Sequence, residues 1–462
     1  MATMTEILAL SGIGQGRLIA EGAISSEELV RAHIARIEAV NPALNAAVEV
    51  LADSALAAAR EADARRARGR RLGPLDGVPF SIKDSIEVAG TVCTAGTWGY
   101  RNAPPSTEDA TLVARLRAAG AIPLARTNLP DLLFSFESDN LIHGRTNNPY
   151  DLARTSGGSS GGEAALIAAC GSPFGLGSDA AGSVRVPAHF CGVASLKPTS
   201  GRLPRTGHVP PAGGWVEAVW QIGPMARRVE DLCAILPLLA APDGRDRTVP
   251  PVPLGDPRAV RTGDLRIAFF TDNGILPPDA ETVRVVRQAA AELGARECRP
   301  PGVDRSYELE MRYLAPDGGA GLRGFLRAIG SDRTHSLLEG WLRKHEGFRT
   351  SIEGFAACWA ELDEFRAGMH RFLGDWDAVL SPAAAFPALL HGESIRDHVF
   401  PGFAYTMTYN LTGWPAAVVR CGATADGLPM GVQIAAAPWR EDVALALALR
   451  LEEAFGGWRP PA

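Results

Sequence analysis

The chain has 462 residues, 46% hydrophobic and 21% charged, with a formal net charge of −6. That composition is globular, excludes a disordered or fibrous chain, and offers no basic excess for binding nucleic acid. Seven cysteines, with no C-x-x-C pair among them, argue against a disulfide framework or a zinc site and for a reducing, cytoplasmic setting.

The N-terminus lacks the basic start and apolar block of an export signal. No apolar run nears the roughly 18 residues of a membrane span, so no membrane partner is expected. Ser25 with Glu28 forms a capping box ahead of Leu29, Val30, Ile34, Ile37 and Val40, which recur at helical spacing. Asn41-Pro42 stops that helix. A second helix is expected over 51–68, and the arginines Arg65, Arg66, Arg68, Arg70 and Arg71 read as its solvated end. Glycine and proline then end the helical period, and 78–83 reads as a short strand with Ser81 and Lys83 on one face and Phe80 and Ile82 on the other. A helix over 111–119 and a buried strand over 121–125 continue a strand–helix alternation that points to an α/β fold.

From Thr155 to Pro198 the chain is rich in Gly, Ser and Ala, which let backbone approach backbone or ligand closely. Two serine loops stand out: 156–162, S-G-G-S-S-G-G, and 177–183, G-S-D-A-A-G-S. The first matches G-x-S-x-G, but residues 148–155 make a poor strand, so a nucleophile elbow is rejected there. Glu163 stands where a phosphate-binding loop needs Lys, so that reading fails too. The second loop suits acyl transfer: Ser183 opens a helix, and the N–H groups of Ala180, Ala181, Gly182 and Ser183 can face a developing oxyanion. A serine needs a base. Of His143, His189 and His208, His189 sits in apolar sequence and reads as structural; Lys83, at the end of an apolar strand, is the alternative base if burial holds it neutral.

Residues 243–257 read as a polar, Pro-rich connection, and 288–373 as mainly helical. The aromatic series Trp341, Phe348, Phe355, Trp359 and Phe365 reads as core. Strands over 416–420 and 430–435, joined by a turn at Asp426-Gly427, precede a final helix over 441–455.

Together these segments resemble the amidase signature family. The resemblance rests on G-P-L-D-G-V-P-F-S-I-K-D at 73–84, G-R-T-N-N-P-Y at 144–150, G-G-S-S-G-G-E at 157–163 and G-S-D-A-A-G-S-V-R-V-P-A at 177–188. It continues through C-G-V-A-S-L-K-P-T at 191–199, N-L-T-G-W-P-A-A at 410–417 and G-L-P-M-G-V-Q-I at 427–434, with the family's spacing between the two serines. It implies one domain over 1–462 built on a large mixed, twisted β-sheet flanked by helices on both faces. Within it, helices occupy 1–70, the signature core 71–240, a variable and mainly helical substrate-shaping region 258–400, and a return to the core 401–462. It also implies a triad without metal or organic cofactor: Lys83 as base, Ser159 as bridging serine after a cis Gly158–Ser159 peptide, and Ser183 as nucleophile. Asp179, Arg185 and Ser160 then support the loops, and Leu133, Phe134 and Gly158 contact substrate. The family often has Thr-Gly-Gly or Ile-Gly-Gly where this chain has Ala180-Ala181-Gly182. The expected partner is a small-molecule amide, carbamate (urethane) or ester, bound in an apolar pocket drawing on Trp215, Trp220, Phe400, Phe403, Tyr405, Tyr409 and Trp414. Within the family the rival is a tRNA-linked glutamine amidotransferase subunit; whether the chain forms a homodimer stays open.

Overall fold

The structure is a computed structural model that describes residues 3–211 and 213–461. Eleven strands form one mixed sheet. In chain order they are β1 (Ala47–Val50), β2 (Pro79–Lys83), β3 (Ile122–Thr127), β4 (Phe174–Asp179), β5 (Ala194–Lys197), β6 (Gln221–Ala226), β7 (Ile267–Phe269), β8 (Arg296–Glu297), β9 (Ala378–Pro382), β10 (Ala416–Ala423) and β11 (Pro429–Ala436). Their spatial order is β1-β3-β2-β4-β6-β5-β10-β11-β9-β7-β8. The C-terminal pair β10 and β11 therefore lies inside the sheet, bridging the strands of the first half to those of the second.

Alternation along the strands covers both faces. In β7, Ile267 and Phe269 enter one apolar core with the 229–239, 280–293 and 441–455 helices. Ala268 faces the opposite core, where Leu309, Tyr313 and Met369 arrive from the 306–314 and 352–372 helices. Near the site, Phe80 of β2 stacks on Phe174 of β4 at 5.9 Å between ring centres. That contact fixes the two strands whose other faces carry Lys83 and the serine turn.

Local expectations meet three corrections. The Ser25–Glu28 capping box forms, but the helix runs over Ser26–Leu44 with Pro42 inside it. A proline in the last turn removes only one intrahelical bond. The end is set instead by Asn45 in the left-handed region (φ 49°) and by the Asn41 side chain, which accepts from the Ala46 and Ala47 N–H groups at 2.8 Å. Second, Asp151–Thr155 is a strand, paired with Asn147–Asn148 outside the main sheet. Its Thr155 N–H donates to Leu389 O at 2.9 Å, a contact with a segment far along the chain. Third, the arginine cluster is partly docked: Arg65 pairs with buried Asp76 at 2.6 Å, and Arg71 donates to Gly16 O at 3.1 Å. The final helix spans Glu441–Phe455, as its Ala/Leu pattern predicts. Among the described residues no helix is long and apolar enough to cross a membrane.

Candidate active site

β2 delivers Lys83 to the middle of the site. The strand is buried along its whole length, and the side chain is fully enclosed. Its Nζ donates to Ser159 Oγ at 2.6 Å, Ser160 Oγ at 3.0 Å and Ser178 Oγ at 3.1 Å. Burial holds this lysine well below the usual amine range, against the pull of Asp179 and Glu163. An amine whose hydrogen bonds go to hydroxyls and not to a carboxylate is solvated enough to stay buried yet easily left neutral.

Ser159 lies in the turn between the Asp151–Thr155 strand and the Gly161–Ala168 helix, and the Gly158–Ser159 peptide is cis. Ser183 lies in the other turn, between β4 and the Arg185–Cys191 helix. The strand–turn–helix arrangement on the main sheet thus belongs to Ser183. Ser160 laces the two turns: its N–H donates to Ser183 O at 3.0 Å, and its Oγ donates to Ser178 O at 3.2 Å. Ser183 is 8% exposed and Ser159 1%. Among the described residues Ser183 Oγ has no hydrogen-bond partner, Ser159 included, while both serines line the same cavity.

The turn before Ser183 is shaped by a buried ion pair. Arg185 grips Asp179 with two bonds, Nε to Oδ2 at 3.0 Å and Nη2 to Oδ1 at 2.8 Å. Burial pushes the Asp179 carboxyl up, but Arg185 and Asn410 overcome this and hold it below the usual range. Asp179 also accepts from Gly182 N–H at 2.8 Å and Val184 N–H at 3.1 Å. The Gly182 donor, expected at the oxyanion, is therefore engaged inside the turn. Ala180, Ala181 and Ser183 remain on the cavity wall. Gly182 has φ 130°, and a Cβ there would meet Thr406 Oγ1 at 2.3 Å, so only glycine fits.

The cavity of about 160 Å³ takes its walls from the 132–136 segment, the loop after His208, and the variable helices. Leu133 and Phe134 line it as expected, and Trp220 does too. Gly158 does not: a Cβ there would strike Ser135 O at 2.5 Å, so it packs against backbone. Phe400, Phe403, Tyr405, Tyr409 and Trp414 are core residues, while Trp215 is 39% exposed. Trp341, read as core, lines the cavity with Leu314. Of the three histidines near the loops, His208 and His189 are engaged at both ring nitrogens. His208 Nδ1–H donates to Pro210 O at 3.1 Å, leaving Nε2 to accept from Ser85 Oγ at 3.2 Å. His189 Nδ1 accepts from Gly431 N–H at 2.9 Å, and its Nε2–H donates to Phe386 O at 3.0 Å.

Several residues that build the site escaped the sequence reading. Ser178 looked like one more loop serine; its place on β4, beside β2, was the available signal. Asn410 and Gln433 lie in the C-terminal motifs without an evident role. In the fold both reach Arg185, Gln433 Oε1 at 2.7 Å from Nη1.

A mixed sheet of this topology carrying a buried lysine between two Gly/Ser turns defines an amidase: the chain belongs to the amidase (amidase signature) family, whose profile matches residues 28–445. It is accordingly an enzyme that hydrolyses amide C–N bonds. It is 34% identical over 492 aligned positions to the A subunit of glutamyl-tRNA(Gln) amidotransferase from Chloroflexus aggregans, covering 98% of this chain and 97% of that one. It is 32% identical to human fatty-acid amide hydrolase 2, covering 98% and 91%. The solved structure of 6-aminohexanoate cyclic dimer hydrolase superposes with a TM-score of 0.86 at 30% identity, covering 98% and 99%.

Proposed function

We propose that the chain is a stand-alone hydrolase of uncharged aryl or alkyl amides and aryl carbamates, acting through Lys83, Ser159 and Ser183. The supporting observation is the buried Lys83 amine 2.6 Å from Ser159 Oγ, with Ser159 and Ser183 both on the wall of one cavity. Neutral Lys83 takes a proton from Ser159, which takes one from Ser183. Ser183 Oγ attacks the carbonyl carbon, and the N–H groups of Ala180, Ala181 and Ser183 face the oxyanion. The proton returns through Ser159 to the leaving amine, and water cleaves the acyl-enzyme by the same relay. Removing one donor of an oxyanion hole typically costs about 2.7–4 kcal/mol.

The lining argues for an uncharged substrate. Among the described residues its one charged side chain, Asp179, is already paired with Arg185, and His208 is held neutral. Burying an unpaired ammonium or carboxylate there would be costly. Anilides and aryl carbamates suit such walls and release better leaving groups than alkyl amines. The second reading, a glutamine-hydrolysing component of an amidotransferase, is favoured by the 34% identity to the Chloroflexus protein. Glutamine carries two charges on its α-carbon, and among the described residues the wall offers no free charged partner for either.

A serine-directed phosphonyl fluoride is expected to add mass at Ser183 and not at Ser159; adduct elsewhere, or full activity in Ser183→Ala, ends the triad assignment. Across a panel of 4-nitroanilides, aryl carbamates and free glutamine, the uncharged aryl compounds are expected to turn over. Preference for glutamine transfers the chain to the second reading.

A further inference from the structure

A carboxyl that the relay leaves unused lies beneath Lys83. Glu163, on the first turn of the Gly161–Ala168 helix, is fully buried. Its Oε1 accepts from Ser81 Oγ and its Oε2 from Thr127 Oγ1 at 2.7 Å. Ser172 Oγ closes the cluster at 2.6 Å from Ser81 Oγ. Ser81 is two residues before Lys83 on β2, so both side chains point to this side of the sheet. The seat is cut to the carboxyl: a Cβ on Gly175, opposite Ser81 in β4, would lie 1.9 Å from Glu163 Oε1. Bare backbone at 175 is what admits the group.

We propose that Glu163 is a positioning residue for the hydrolysis, a carboxyl held beside Lys83 whose charge decides how readily that amine gives up its proton. The inference rests on Lys83 being the base. Among the described residues the titratable groups near enough to act on Lys83 are Asp179, Glu163 and His208. Asp179 is fixed as an anion by Arg185, Asn410 and two backbone N–H groups. His208 is held neutral by burial. Glu163 alone has a charge that varies in the working range: burial pushes it up to about 7, against the two hydroxyls and Lys83, which lower it. Protonated Glu163 leaves Lys83 neutral and basic. Ionised Glu163 holds the pair's shared proton on Lys83, so the relay idles until a higher pH removes that proton as well. The two therefore titrate as a pair.

The test reads the rate of inactivation by the phosphonyl fluoride against pH, which needs no natural substrate. Glu163→Gln keeps the shape and removes the charge. Its acidic limb is expected to move to lower pH by roughly one unit or more, the effect of losing an opposite charge at close range. Thr127→Val removes a donor that favours the ionised carboxyl, and should move the limb the same way by less. A merely structural Glu163 would lower the rate and leave the limb in place. If Ser183 is labelled in the parent chain but the limb is unmoved in Glu163→Gln, the proposal falls and the base assignment stands. Should Glu163→Gln not fold, an unmoved limb in Thr127→Val is equally fatal. No labelling of Ser183 in the parent overturns the base assignment itself.

Discussion

At Lys83 the chain places an amine where an ammonium is poorly tolerated and gives it three hydroxyls as hydrogen-bond partners. Lys83→Met keeps the stem and removes the nitrogen. It is expected to lower kcat/KM by about 10²–10⁴, the usual worth of a general base, while the far-UV spectrum stays that of the parent. Asp179→Asn is expected to act on stability instead. It strands the Arg185 guanidinium in a fully buried setting, a change that costs about 3–5 kcal/mol when one partner of a buried pair is removed. The midpoint of urea unfolding checks it. Residue types singled out Lys83 and Ser183 in the sequence, and the resemblance to the family added Ser159, Asp179 and Arg185. Glu163 was legible only as the residue that spoils a phosphate loop, because the glycine that makes room for it comes from another strand.

At the scale of elements, strands and helices with strong period were readable to within a residue or two, as β2 and the Glu441–Phe455 helix show. Elements held by distant partners were not. The Asp151–Thr155 strand has little strand character of its own and leans on the backbone around Leu389. The helical character of 288–373 was readable, but not which aromatic residue of that region faces the cavity. Trp341 sits edge-to-face with Phe134 at 5.8 Å between ring centres, and both line that wall. Trp341→Ala is expected to raise kcat/KM for bulky anilides relative to small ones by about tenfold, the scale on which apolar pockets discriminate. An unchanged ratio removes Trp341 from the specificity wall.

Across the whole molecule, the sheet order is the least sequence-like property. Strands made last, β10 and β11, occupy positions between β5 and β9. Nothing local encodes that placement; it follows from burying two apolar faces at once. The Arg185 guanidinium depends on the same late segment, through Thr406 O at 2.8 Å, Asn410 and Gln433. A chain ending at residue 400 is expected to lack a cooperative unfolding transition and to resist labelling by the phosphonyl fluoride, since it loses interior strands and the anchors of the Ser183 turn together.

Those anchors also order events in time. A ribosome making this chain releases Lys83, Ser159 and Ser183 long before Thr406, Asn410 and Gln433 emerge. Until then, of its partners among the described residues, the guanidinium beside the Ser183 turn has Asp179 to hold. The growing polypeptide thus carries Ser183 on a turn that lacks these anchors until a much later segment supplies them.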